Sequence, residues 1–397
     1  MNLSNENRLL LLCARPKILE NDVAQVKHLI SLLINWNNIL DSAFSRGIAP
    51  LLYNCLKSIQ ERRRIPQELM DQLKKAYHEN VARNMYLYAE LLRIIKVFED
   101  KGVKVIVLKG AALAKIVYKD IGLRSMRDID LLVKKEDLPY AKEIMSGLGY
   151  VPKMRLLSEE WFTKNHYHLP AYIHREKSLI VEIHWHITGK SFNNIDIKKW
   201  FERARCTKFD GCQVFTPSPE DMIIHLCLHL YNHGYHSKMI LRELCDISET
   251  LNHYREEIDW MLFQKEVNDC GLHRPVYSIL YLAYLAKNFY KTTCLPLQDH
   301  RIESPYINLK LLKILKERMF TENDSFSAMP GGLIKSLVVN GTGRKIRLLL
   351  PMIFPPREAM IEKHLASSFP RSLYFHYFIR PLKLFVKYGK HLRTLIK

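Results

Sequence analysis

Asp128 and Asp130 stand one residue apart in the run SMRDIDLLV, residues 125–133. On a β-strand this spacing puts both carboxylates on one face and Ile129 on the other. Two carboxylates aimed at one point repel unless a cation lies between them. Mg²⁺ suits that role, taking a few carboxylates and completing its shell with substrate phosphate oxygens. The flanking Met126, Ile129, Leu131, Leu132 and Val133 are apolar, which argues against a plain surface turn. A third carboxylate, Glu182, sits between Val181 and Ile183 in the run IVEIHW, residues 180–185. An unpartnered carboxylate on an apolar strand is costly, so Glu182 requires a metal or a basic partner such as an arginine. Upstream, Lys109 and Gly110 close a short apolar run and open a helix, whose free N–H groups and positive dipole end form a seat for phosphate. Lys109, Gly110 and Ala111 are the candidate phosphate contacts there. Arg124 and Arg127 flank the acidic pair and serve either phosphate binding or charge balance. Together these residues point to metal-dependent chemistry on a nucleoside triphosphate.

A second cluster is made of histidines. His225, His229 and His233 recur at i, i+4 and i+8, so they share one face of a helix, and His236 follows. The zinc-protease pattern H-E-x-x-H is absent. The reading is a polar helix face beside the active cleft, or core histidines bonded to backbone, without stoichiometric zinc. His184, His229 and His233 are the expected cleft-lining residues.

The elements that must position these residues follow from periodicity. Residues up to about 100 read as helices. Asn21-Asp22 is placed to cap a helix running on to Trp36, and a long helix opens at Pro66-Gln67 and ends at Gly102. The pattern then changes to short apolar, β-branched runs. Strands are expected over Val103–Leu108, Asp128–Val133 and Leu179–Trp185, with helices over Ala111–Tyr118 and Asp137–Gly147. Pro217 and Pro219 mark a boundary, and Glu220-Asp221 complement the dipole of the helix that starts there. Residues 220 to about 300 read as a helical bundle, and Asn323–Gly332 as an exposed loop.

Bulk properties narrow the class. The chain has 397 residues, enough for two or three domains, and a formal net charge of +19. That excess fits a polyanionic partner or a solvated basic surface. The last 54 residues hold 12 Lys and Arg against two acids, Glu358 and Glu362. There Tyr374, Phe375, Tyr377, Phe378, Phe385 and Tyr388 alternate with Arg380, Lys383, Lys387, Lys390 and Arg393. Pro381 divides the run, and the part after it can form a basic amphipathic helix with Leu384, Phe385, Tyr388 and Leu392 at helical spacing. Its apolar side is expected to pack on the body of the protein, leaving the charge for a phosphate-rich acceptor, a polyanion or an anionic membrane surface. Eight scattered cysteines form no C-x-x-C, which excludes a zinc ribbon or dithiol redox motif. The N-terminus lacks the pattern of a signal peptide, and no run approaches the length of a membrane span, so a cytoplasmic location is expected.

The order and spacing of these residues resemble the nucleotidyltransferase superfamily of DNA polymerase β-like fold: a glycine turn opening a helix, D-x-D on a strand, and a third acid on a later strand. More narrowly, LKGAALA, GLRSMRDIDLLV, EIHW, a P-x-PED helix with HLCLH and an RELCDI run look like the uncharacterised nucleotidyltransferase family with an LKG, RxxxDxD and HW signature. The resemblance spans about residues 85–265. It implies an α+β fold, with a polymerase-β-like core (a small mixed sheet with helices) embedded in mostly α-helical N- and C-terminal regions. The expected segments are 1–100 (helical), 101–215 (nucleotidyltransferase core), 216–300 (helical bundle) and 301–397 (basic, helical).

The resemblance further implies Asp128, Asp130 and Glu182 as ligands of Mg²⁺ or Mn²⁺, with Glu182 also drawing the proton from the attacking group. The superfamily usually places serine after the turn glycine, where Ala111 stands here, so phosphate contact passes to Lys109 or to backbone N–H groups. The implied reaction is transfer of a nucleoside monophosphate from an NTP to an acceptor hydroxyl, amine or phosphate, with an anionic acceptor favoured. The alternatives are glycosyl transfer from a sugar nucleotide to a phosphorylated peptide or saccharide, and a non-catalytic nucleotide-binding module. The family's association with polysaccharide and peptide natural-product genes suggests a tailoring role.

Overall fold

The computed structural model describes residues 3–32, 34–59, 64–153, 162–164, 166–189, 194–233, 238–287, 309–320, 342–355, 357, 360 and 375–387. The chain forms two compact units, one of Met1–Lys153 with Asn165–Phe320, the other of Met154–Lys164 with Thr321–Lys397. The expected loop at 323–332 lies outside the described residues, as does the end of the bundle beyond residue 287.

The first unit opens with α1 (Asn5–Cys13), α2 (Glu20–Ser31), α3 (Trp36–Ser45), α4 (Ala49–Ser58) and the 34-residue α5 (Gln67–Asp100). Leu69, Leu73, Leu87, Leu91, Ile94 and Phe98 form the buried stripe of α5. Gly102, at φ 72°, ends it: Gly102 N–H bonds Glu99 O and Val103 N–H bonds Phe98 O, the paired closure that favours glycine at this position. The N-terminal helices differ from expectation at one point. Asp22 caps nothing. It lies inside the first turn of α2, where its carboxylate accepts from buried Arg15 at 3.0 Å. That helix ends at Ser31, and Asn35 caps α3 by accepting from Asn38 N–H.

A seven-stranded mixed sheet follows, ordered β3-β4-β5-β2-β1-β7-β6. Its strands are β1 (Ile106–Val107), β2 (Ile129–Leu132), β3 (Tyr150–Pro152), β4 (Tyr172–His174), β5 (Ile180–His184), β6 (Arg205–Phe209) and β7 (Cys212–Thr216). Helix α6 (Lys109–Ile116) leaves β1, α7 (Leu138–Gly147) follows β2, and α8 (Ile197–Arg203) precedes the β6–β7 hairpin. Four of the seven strands, β3, β4, β6 and β7, had not been expected. For the hairpin a signal was present: Asp210-Gly211 between two short runs, both at positive φ (48° and 88°), is the pair a two-residue turn demands. β2 is buried throughout, as a central strand covered on both faces must be.

The first unit closes with α9 (Pro219–His233), α10 (Ile240–His253), α11 (Trp260–Asp269), α12 (His273–Lys287) and α13 (Leu309–Phe320). Every residue from Pro219 to Leu228 is buried, so α9 is the bundle's inner helix. In the second unit α14 (Thr342–Ile353) and a helix over 375–387 are joined by hydrogen bonds from Tyr377 Oη to Pro355 O (2.5 Å) and from Arg380 Nε to Met352 O (3.0 Å). The latter helix runs through Pro381 rather than stopping there. The ring already holds φ near the helical value, and the cost is one missing backbone bond. Tyr388 and Leu392 lie outside the described residues. Among the described residues no helix is long and apolar enough to cross a membrane.

Candidate active site

Strand register brings the acids together. β2 and β5 run parallel with Asp130 directly opposite Glu182 and Leu132 opposite His184. Side chains of directly opposed residues share a sheet face, and His184, two residues beyond Glu182, shares it too. Ligand atoms of Asp130, Glu182 and His184 all lie within 4.8 Å of one another, the one such group among the described residues. His184 Nε2 is 3.0 Å from Asp130 Oδ1 and 3.4 Å from Glu182 Oε2. Lys109 Nζ donates to the same Asp130 oxygen at 2.7 Å.

Lys109 reaches that position from a backbone turn held in the left-handed region, φ 47°, rare for a residue with a side chain. The turn is tied to the acid strand by a bond from Leu108 N–H to Asp130 O, 3.0 Å. Thus the Lys-Gly turn and the D-x-D strand are one structural unit, with the lysine aimed at the second aspartate.

Charge is unevenly compensated across this group. Burial pushes the Asp130 carboxyl up, but the Lys109 ammonium and His184 overcome it and hold Asp130 well below the usual carboxylate range. Burial likewise opposes ionisation of Glu182, and its bond to His184 brings it down. Asp128, half-buried just before β2, is pushed up to about 6 by burial and by the neighbouring Asp130 charge. Three carboxylates against one ammonium and one imidazole leave a surplus of negative charge, which is the condition that draws a cation. The oxygen-rich donor set fits Mg²⁺ or Mn²⁺, and His184 is the donor that Mn²⁺ accepts more readily.

A sequence profile of the uncharacterised nucleotidyltransferase family matches residues 33–286. The chain belongs to this family. No curated protein and no solved structure matches it. The match covers α3 to α12, the whole sheet and the acidic group, and leaves α1, α2 and α13 of the first unit outside it.

The loop leading to Asp128 is held by one face of α5. Tyr77 Oη donates to Asp120, Asn80 Nδ2 to Gly122 O (2.7 Å) and Asn84 Nδ2 to Arg124 O (2.8 Å), while Tyr88 Oη donates to Ala111 O (2.7 Å). Gly122 is required by this close approach: a Cβ there would stand 2.5 Å from the Tyr77 ring. Arg124, expected near phosphate, is instead buried and engaged with Asp246 of α10, Nε at 3.2 Å and Nη2 at 2.8 Å, with Tyr118 Oη on the same carboxylate. A Cβ on Gly110 would overlap the Arg124 guanidinium, so the space beside Gly110 belongs to that side chain. Ala111 is buried in the first turn of α6, where no side chain caps the free N–H groups.

Arg127 is exposed and lines a cleft of roughly 850 Å³ with Ser125, Met126, Ser178 and Ile180, which lead into the two acid strands, and with Asn80 and Arg83 of α5. That volume is in the range of small-molecule sites. His229 lies 4.0 Å from Glu243, and His233 Nε2 lies 3.1 Å from Tyr167 Oη, whose ring is 5.9 Å from that of His184. His225 is buried against Trp200, both ring nitrogens without a hydrogen bond, and burial pushes it down to about 3. These three histidines assemble no metal group among the described residues. The sequence reading missed Asp246 and the pairing of Lys109 with Asp130. The RELCDI run signalled Asp246 only as a motif, without naming its partner.

Proposed function

We propose that the chain transfers a nucleoside monophosphate from an NTP to an acceptor hydroxyl, amine or phosphate. The observation that carries this is the pairing of Asp130 with Glu182 on adjacent parallel strands, beside a cleft of nucleotide size. Asp128, Asp130 and Glu182, with His184, would hold Mg²⁺ or Mn²⁺. When bound, such ions stabilise the attacking and leaving oxygens of an in-line displacement at phosphorus. Glu182, the more accessible of the paired acids, takes the proton from the acceptor as its oxygen or nitrogen attacks the α-phosphorus. The bond to pyrophosphate breaks and pyrophosphate departs with its electron pair. Lys109 keeps Asp130 ionised. The uncapped N–H groups at the start of α6 and Arg127 receive the donor's phosphates, as helix ends bind anions. Arg124 positions the loop rather than touching substrate. The net charge of +19 favours an anionic acceptor.

The test is incubation of the full chain with each NTP, Mg²⁺ or Mn²⁺ and pools of phosphorylated, peptide and saccharide acceptors. Pyrophosphate release with a nucleoside-monophosphate increment on an acceptor is expected. A hexose increment from a sugar nucleotide would replace this reading with glycosyl transfer. Nucleotide binding without turnover in any pool would make the chain a binding module.

A further inference from the structure

The helix over 375–387 carries its apolar residues outward. Phe375, Phe378, Leu382 and Phe385 are spaced by three, four and three residues, which places them on one helical face. Their exposures are 62%, 77%, 60% and 70%, and Val386 beside them is 80% exposed. The opposite side is engaged within the unit, since Tyr377 and Arg380 donate to carbonyls of Pro355 and Met352. Within the second unit Phe375, Phe378 and Phe385 therefore stay uncovered. α14, the helix they adjoin, repeats the pattern with Ile346, Leu350 and, just past its end, Phe354 about half exposed at four-residue spacing.

Charge selects the occupant of this face. Lys383 is exposed at the edge of the apolar arc, with Lys387 one turn further along the same edge. Lys345 is exposed on α14. No acidic residue occurs after Glu362. A second copy of this chain would bring the same cations to the contact and repel. Nucleic acid would use the cations and leave several large apolar side chains in water. A bilayer surface with anionic headgroups satisfies both halves: apolar side chains enter the headgroup boundary and lysines remain at phosphate level.

We propose that residues 375–387 form an interfacial helix that seats the chain on an anionic lipid surface through Phe375, Phe378, Leu382 and Phe385. The site chemistry above does not depend on it, and the two can fail separately.

Co-sedimentation of the full chain with vesicles tests this. Vesicles of equal parts phosphatidylcholine and phosphatidylglycerol are expected to carry the chain down at low salt, and vesicles of phosphatidylcholine alone much less. High salt should weaken the binding without abolishing it, because the apolar part is not screened. The double variant Phe378→Ser/Phe385→Ser should lose about tenfold or more in affinity, from the area of two aromatic side chains. Lys383→Glu should lose less. Both positions are exposed, so circular dichroism should be unchanged. Absence of binding to the anionic vesicles at low salt, or undiminished binding by the double variant, would overturn the proposal. So would a dimer dissolved by the double variant in sedimentation velocity. Equal dependence of duplex RNA binding on Phe378 and Phe385, without vesicle binding, would assign the face to nucleic acid instead.

Discussion

Two buried carboxylate clusters lie on opposite terms with their surroundings. Glu90 of α5 is one carboxylate met by several donors: Arg93, Lys177 Nζ at 2.8 Å and Tyr150 Oη at 3.0 Å. Burial works against its charge, yet these bonds bring it down from the ordinary 4.5 to about 2. At the acidic site the ratio is reversed, with three carboxylates sharing Lys109 and His184 and with Asp128 pushed up to about 6. Glu90 ties α5 to the loop following β4 and is complete as it stands. The Asp128, Asp130 and Glu182 group is under-compensated, and residues just ahead of it on both strands, Met126 and Ile180, line a cleft, so it has capacity for a cation. An electrostatically closed cluster serves the fold, and an open one is available for chemistry.

The largest expected effect separates the two aspartates. Asp128→Ala and Asp130→Ala should each lower turnover by about 10³-fold, of the order seen when a key transition-state contact is removed. Their stabilities should diverge. Loss of Asp130 takes the hydrogen-bond partner from the half-buried Lys109 ammonium and should cost about 1–3 kcal/mol in urea unfolding. Loss of Asp128 removes a poorly compensated charge and should leave the metal-free protein as stable or more so at neutral pH. The Asp128 carboxyl is raised in the fold above its ordinary 3.8, so in EDTA it destabilises progressively as pH rises from about 4 to about 6. The alanine variant should lack that decline. Equal stability loss in both variants would erase the distinction drawn between them.

Glu182→Gln keeps shape and loses charge. A rate reduction of about 10²-fold or more is expected if Glu182 takes the proton. Retained rate with a lowered melting temperature would reduce Glu182 to a partner of His184.

Glu90→Gln tests the closed cluster and should leave kcat alone while costing about 1–3 kcal/mol. Its sign with pH is opposite to that of Asp128. The folded-state value lies below the ordinary 4.5, so this stabilisation is full above that pH and disappears as pH falls toward about 2. The Gln variant should show a flatter acid limb in unfolding against pH.

The smallest effect belongs to Arg127. Being exposed in the cleft, it should raise KM for the nucleotide several-fold on replacement by Ala, with kcat nearly unchanged, the pattern of ground-state binding. A stability loss instead would place it with Arg124, whose guanidinium is committed to Asp246.

Much of the candidate site was legible because its signals are local. Apolar flanks around Asp128, Asp130 and Glu182 require strands, and a two-residue period decides which side chains share a face. Pro66 and Gly102 bound α5 for reasons contained in each residue: a fixed φ at one end and a permitted positive φ at the other. The excess of basic residues toward the C-terminus is likewise a property of composition. What the tertiary structure decided are pairings between residues far apart in the chain. Asp130 meets Glu182 across 52 positions only because β2 and β5 align in one register, and a slip of one residue would turn Glu182 to the other face. Arg124 meets Asp246 across 122 positions, and that choice withdrew it from the phosphate role its neighbours suggested. Asp22 shows the same physics at short range: its type and position fit a helix cap, but a buried Arg15 offered a stronger partner. Residue type states what a side chain is able to do; burial and the nearest opposite charge determine which of those capacities it uses.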